Sequence, residues 1–206
     1  AIDSVGYVCE MKAQTQATLE KWIAGLFAKE NMRISKDACE LLLNKTGAGM
    51  DYIRQEVDKL VSYCQGREAV TAEDVEKVCS TQTTSHIFDM ISAIASKQQQ
   101  QALNLYYDLL ALKEPPMRIL YLIVRQFNGI LQVKDLLSRG VSNRDIASRI
   151  GVAPFVAGKY QAQAKLFDMN TLIDALNECA RTEESVKQGR INDKLGVELL
   201  IIKYSE

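Results

Sequence analysis

Pro115-Pro-Met-Arg-Ile-Leu-Tyr-Leu-Ile-Val-Arg-Gln-Phe-Asn-Gly-Ile-Leu-Gln-Val-Lys-Asp-Leu-Leu-Ser-Arg-Gly140 reads as one long helix. The paired prolines pre-set the backbone for a first turn, no further proline interrupts Met117 to Arg139, and Gly140 supplies the stop. Leu120, Val124, Phe127, Leu131 and Val133 are expected on its core face. A helix of this length in a chain with only three prolines and almost no alternating apolar pattern argues for an all-helical fold.

Toward the C-terminus the same punctuation recurs. Ser142-Asn-Arg-Asp145 has the spacing of a capping box, followed by Ile146, Ala147 and Ile150. Pro154 opens a helix running through Val156 and Tyr160 to Phe167. Asn170 is expected to cap a helix carrying Leu172, Ile173, Leu176, Cys179 and Val186, and residues 193–204 a last one with Leu195, Leu199 and Ile202 inward. Toward the N-terminus, Ile87, Met90, Ile91 and Ile94 mark one helix, and Leu103, Tyr106, Tyr107, Leu109 and Leu110 another.

Ser80-Thr-Gln-Thr-Thr-Ser85 is polar and aperiodic, as a linker is. Before it come four short amphipathic stretches. Thr15 caps one with Leu19, Trp22, Ile23, Leu26 and Phe27, and Ser35 caps one with Ala38, Leu41 and Leu42. Gly47 and Gly49 precede a third with Met50, Ile53, Val57, Leu60, Val61 and Cys64, which Gly66 ends. Thr71-Ala-Glu-Asp74 is a capping box ahead of Val75 and Val78. Val5, Tyr7, Val8 and Cys9 lean toward strand but are too short to build a sheet, so residues 1–14 are expected to be the remnant of a preceding domain. The expected organisation is a small helical domain over 15–80, a linker at 81–85 and a larger helical bundle over 86–206.

Of the 206 residues, 47% are apolar and 25% charged, with a net charge of -1, so no global charge demands a nucleic acid or a membrane surface. No apolar run reaches membrane-spanning length and no signal peptide is evident. Five cysteines with no CxxC spacing read as reduced thiols, with Cys39, Cys64 and Cys179 on apolar faces, and point to a cytoplasmic protein. One histidine, His86, with scattered cysteines makes a poor zinc set, and it has no evident nucleophile partner. There is no GxxxxGK[ST] phosphate loop, and Glu183 and Glu184 point about 100° apart on a helix rather than converging. No catalytic, cofactor or metal site is expected.

Charge is distributed unevenly. Residues 117–165 carry Arg118, Arg125, Lys134, Arg139, Arg144, Arg149, Lys159 and Lys165 against only Asp135 and Asp145. That window suits phosphate or an acidic partner, and equally a solvated outer face. Within it, Asn143-Arg-Asp-Ile-Ala-Ser-Arg-Ile-Gly-Val-Ala-Pro-Phe-Val-Ala-Gly-Lys159 has the pattern of a helix-turn-helix. A sequence reader would place polar side chains early in the second helix, where this chain has Pro154, Phe155, Val156, Ala157 and Gly158. The motif is read as a packing unit, with a helix-turn-helix DNA-binding protein as the alternative. Tyr106-Tyr107 suits base stacking, with at least one of the pair expected in the core, as is Trp22.

The ordered set resembles a known family. Trp22-Ile23, Ile34-Ser-Lys-Asp-Ala38 and the glycines leading into Gln55-Glu-Val-Asp-Lys-Leu60 are similar to the lid of the bacterial clamp-loader (DNA polymerase III) delta subunit. Ile87-Phe-Asp89 with Ala93-Ile94, Ile119-Leu120, Val124-Arg-Gln-Phe127, Gly151-Val-Ala-Pro-Phe-Val156, Lys187-Gln-Gly-Arg-Ile191 and Glu198-Leu-Leu-Ile201 resemble its collar.

The resemblance implies an AAA+-type helical lid and a collar that assembles with the ATPase (gamma/tau-type) and delta-prime-type subunits, loading a sliding clamp on primed DNA during replication. It implies that the clamp is touched only by an N-terminal domain of which residues 1–14 would be the tail, so this chain is not expected to open clamps. It implies no cofactor, and a polymerase label only through membership in the holoenzyme. Active loaders carry a nucleotide-sensing lid arginine near a Gly-x-Met start. The matching place here is Gly49-Met50-Asp51, and the acidic Asp51 repels phosphate, although Arg54 lies one turn on.

Overall fold

The computed structural model describes residues 14–81 and 83–206, with the side chains of Asn143 and Arg144 left outside the description. The β-leaning stretch at 5–9 lies outside the described residues. Eleven helices and one two-residue strand pair make up the described chain, in the order α1 (Gln16–Lys29), β1 (Arg33–Ile34), α2 (Lys36–Thr46), α3 (Met50–Tyr63), β2 (Ala69–Val70), α4 (Ala72–Val78), α5 (Thr83–Ala95), α6 (Gln99–Ala111), α7 (Pro116–Ser138), α8 (Asn143–Ile150), α9 (Pro154–Ala164), α10 (Met169–Lys187) and α11 (Asp193–Ser205).

The predicted caps are in place where a side chain fixes its own first turn. Thr15 Oγ1 accepts from Thr18 N, Ser35 Oγ from Ala38 N, and Thr71 with Asp74 closes a reciprocal capping box. At α8 the box is half made. Ser142 Oγ accepts from Asp145 N, and the Asp145 carboxylate takes the Ser142 hydroxyl at 2.8 Å. The cap of α10 is Asp168 rather than Asn170, its Oδ1 accepting from Asn170 N at 2.9 Å and Thr171 N at 3.0 Å. An aspartate two residues earlier brings a charge to the helix N-terminus as well as an acceptor, and it outcompetes the asparagine.

Two apolar cores form. Helices α1–α4 enclose Leu19, Ile23, Phe27, Leu42, Ile53 and Leu60, and β1 pairs parallel with β2 at the rim. Helices α5–α11 wrap a larger core around Met90, Tyr106, Ile123, Phe127 and Cys179. The polar stretch at 80–85 is shorter as a connection than its composition suggests. Helix α5 already starts at Thr83, and Ser85 is buried, donating to Asn44 O at 2.8 Å and Lys45 O at 3.3 Å at the end of α2. These carbonyls are the orphan acceptors of a helix C-terminus, so the small hydroxyl joins the two lobes by satisfying them.

Leu120, Phe127 and Val133 of α7 and Leu172 and Cys179 of α10 are buried as expected, and other positions of the apolar faces differ. In α7 the buried set is Ile119, Leu120, Ile123, Phe127, Ile130 and Val133, with Val124 and Leu131 only half-buried. In α11, Val197, Leu200 and Ile201 are inward while Leu195 and Leu199 are exposed. In α10, Ala175 is buried and Ile173 is exposed. These helices are apolar on more than one side, so packing chooses the buried face. Helix α9 stops at Ala164, and Phe167 just beyond it packs edge-on against Phe127 at 5.7 Å.

A buried amide relay ties α5, α7 and α9 together. Gln126 Nε2 donates to Gln163 Oε1 at 2.6 Å, and Gln163 Nε2 donates to Phe88 O and Ser92 Oγ, each at 2.8 Å. Cys39, Cys64, Cys79 and Cys179 are all buried thiols.

Candidate nucleic-acid and partner interface

Two helices joined by a glycine turn stand where the sequence pattern expects them. Helix α8 buries Ile146 and Ala147, Gly151 takes the left-handed conformation (φ 68°, ψ 33°), and α9 follows. The second helix is not a reading helix. Phe155 reaches across and packs on the core of the N-terminal lobe, Val156 packs on the C-terminal core, and Ala157 is buried. Only Pro154 and Gly158 of this turn are exposed, and neither has a side-chain donor. The alternative of a DNA-reading helix-turn-helix is therefore corrected: its reading face is occupied by the protein itself.

Phe155 forms one wall of a cleft of about 300 Å³ between the lobes, lined also by Ile87, Phe88 and Leu122, with Arg125 and Lys159 at its polar side. Lys159 Nζ lies 5.6 Å from the centre of the Phe88 ring. Burial pushes the Lys159 ammonium below its usual pKa, and the Asp89 carboxylate opposes that shift.

The described cations of the basic window differ in their surroundings. Lys134 donates to Ala164 O at 2.9 Å and so serves the C-terminus of α9. Arg139 pairs with Asp135 one turn back, NH2 to Oδ2 at 2.9 Å, and Arg118 with Glu114 at 3.2 Å. Lys159 is half-buried in the cleft. Arg125, Arg149 and Lys165 are exposed, and among the described residues no carboxylate lies within ion-pair distance of them. The Arg144 side chain lies outside the described residues. Sequence reasoning passed over Tyr121, 63% exposed on α7. Its signal was its spacing, three residues after Arg118 and four before Arg125.

Asp51 is exposed in the first turn of α3, where a carboxylate complements the helix dipole and disfavours a phosphate. Arg54 does not take over that place freely, since its Nε bridges both Asp58 oxygens at 2.9 and 3.1 Å. Tyr106 is in the core, donating to Lys194 O at 2.9 Å, and Tyr107 is on the surface with its hydroxyl 2.6 Å from Glu198. Leu195 and Leu199 lie one turn apart on the outside of α11, 46% and 48% exposed. Among the described residues no cluster of His, Cys, Asp and Glu is arranged to hold a metal, and no helix is long and apolar enough to cross a membrane.

Residues 84–204 match the family model for the DNA polymerase III delta subunit, C-terminal domain. The chain is 28% identical over 203 residues to the DNA polymerase III subunit delta of Bacillus subtilis, covering 98% of this chain and 58% of that one. It is 20% identical over 167 residues to the probable DNA polymerase III subunit delta of Aquifex aeolicus, covering 80% and 48%. The solved structure of the Bacillus subtilis DNA clamp loader delta protein superposes with a TM-score of 0.87 at 27% identity, over 99% of this chain and 60% of that one. The chain thus spans about half to three-fifths of the length of these relatives. With a family model covering more than half of the chain and a structural likeness running through both lobes, the chain belongs to the DNA polymerase III delta subunit family, as its C-terminal portion.

Proposed function

We propose that this chain is the lid and collar of a bacterial clamp-loader delta subunit, with the lobe of α1–α4 as lid and the lobe of α5–α11 as collar, acting as a non-catalytic assembly element in the cytoplasm. The observation that carries the reading is the structural likeness to a clamp loader delta protein over nearly the whole chain. The unpartnered Leu195 and Leu199 on α11 add apolar surface of the kind that assembly covers. Asp51, at the lid position where active loaders carry an arginine, supports a subunit that does not sense nucleotide. The partners are the ATPase gamma/tau-type and delta-prime-type subunits, with the sliding clamp reached only through an AAA+-like region outside this chain.

The test is to mix this chain with those two subunits and measure the mass of the product by light scattering. A defined hetero-oligomer is expected, weakened by the double change L195D/L199D. Elution of the folded chain alone would overturn the reading. A second role, DNA contact through the basic window, is favoured by the unpaired exposed state of Arg125, Arg149 and Lys165.

A further inference from the structure

The outer face of α7 has an unusual make-up. Arg118, Tyr121, Arg125, Asn128 and Gln132 recur at three- and four-residue spacing, which places them on one stripe of a helix. All five are exposed, and the opposite face carries the buried Ile119, Ile123, Ile130 and Val133. Not one aspartate or glutamate occurs from 115 to 134. Tyr121 is 63% exposed, more than any other exposed large apolar side chain described, and among the described residues its ring has no aromatic or hydrogen-bond partner.

Two kinds of occupant differ in what they want from such a face. A protein partner rewards an apolar centre depleted of charge. This stripe has one aromatic ring set between two guanidinium groups and extended by two amides, with no aliphatic side chain on it. A single-stranded nucleic acid rewards that composition: cations for the phosphates, an open ring for a base, amides for base edges or backbone oxygens. A duplex hides its base faces and would leave the ring unused.

We propose that the Arg118–Tyr121–Arg125 stripe of α7 is a binding site for single-stranded nucleic acid, with one base stacked on Tyr121 and the flanking phosphates on the two arginines. This deepens the DNA-contact reading above and rests on it. It places that contact on α7 rather than on the helix-turn-helix, and assigns it to three residues rather than to the whole basic window. Arg118 keeps its 3.2 Å pair with the largely buried Glu114 carboxylate, while its own side chain is 62% exposed and has donors left for a phosphate. Arg125 also borders the interlobe cleft, so the strand leaves the stripe beside Lys159.

The experiment is fluorescence anisotropy of a labelled oligo-dT against this chain in a salt series. Wild type binds, and more tightly than it binds a duplex of equal length. Tyr121→Ala weakens oligo-dT binding about tenfold with the salt slope unchanged, as loss of one stacked base requires. Tyr121→Phe keeps most of the affinity. Arg118→Gln with Arg125→Gln weakens binding and flattens the slope by roughly 0.7 for each phosphate no longer held. Tyr63→Ala, which removes an exposed tyrosine of the other lobe, changes nothing. Absence of oligo-dT binding by wild type, or equal binding by Tyr121→Ala, overturns the proposal. So does a Tyr121→Ala protein that binds oligo-dT normally but no longer joins the loader subunits, since the face is then a subunit contact. Failure of the assembly reading is seen separately, in the mass of the wild-type mixture.

Discussion

The Tyr160 ring lies across Gly129, and a β-carbon at 129 would come within 2.7 Å of its Cζ and 2.9 Å of Cε1. Phe88 holds the same ring from another side, centroid to centroid at 5.2 Å. Gly129 sits inside α7, where alanine would be worth about 1 kcal/mol in helix propensity. Displacing a packed ring costs about 1–3 kcal/mol, so the clash wins. Gly129→Ala is expected to lower stability by about 1 kcal/mol. Gly158 in the interior of α9 meets nothing within 4 Å, and Gly158→Ala is expected to raise stability by about 0.5–1 kcal/mol. Thermal melts of the two variants should move in opposite directions.

Asp74 is held at a pKa of about 2, below its usual 3.8, first by the Arg67 guanidinium and then by Thr71. Arg67 NH2 is 2.7 Å from Oδ1, and Thr71 N donates to Oδ2 at 2.9 Å. A carboxylate with a depressed folded pKa adds stability that is complete above its unfolded value and disappears as pH falls through the folded one. The contribution is about 1–2 kcal/mol once the half-exposed arginine is allowed for. Asp74→Asn should therefore be destabilised by that amount at pH 7, and the gap from wild type should close between about pH 4 and pH 2. Urea midpoints across that range check the claim.

Gln163 serves three partners on two other helices. Gln163→Leu keeps the volume but leaves the buried Gln126 Nε2 without its acceptor, while Phe88 O keeps the Ser92 hydroxyl at 3.0 Å, at an expected cost of about 1–3 kcal/mol. A change at the exposed Gln132 should be within about 0.5 kcal/mol of neutral. Chemical denaturation of both variants separates a packing role from a polar one.

Burial pushes the thiols of Cys39 up to about 11 and of Cys79 and Cys179 up to about 12, and raises that of Cys64 as well. None of the four is a thiolate at neutral pH. Iodoacetamide at pH 7.5 is expected to leave these four unlabelled in the native protein and to label them all in guanidinium, read by peptide mapping.

What the sequence made legible was local. Thr15, Ser35 and Thr71 announce their helices because a cap is a bond between neighbours, and Gly151 announces its turn because the left-handed conformation is cheap for glycine. The buried face of α11 was not legible, and that of α7 only in part: Leu120, Phe127 and Val133 were, but Ile119, Val124 and Leu131 are equally apolar until neighbouring helices choose among them. The basic window was visible as composition. Which of its cations are free was not, because the partner of Lys134 is a backbone carbonyl 30 residues away. Nothing local to Phe155 says that it serves the opposite lobe.

That placement ties the melting of the two halves together. Phe155 is rooted by the chain in α9 while its ring fills a place among the side chains of the first four helices, and Ser85 closes the end of α2 from the other side of the junction. Loosening either half exposes this shared aromatic surface and strips two helix carbonyls of their donor. The halves are thus expected to unfold in a single cooperative step, with calorimetric and van't Hoff enthalpies in agreement, and Phe155→Ala should split that step into two.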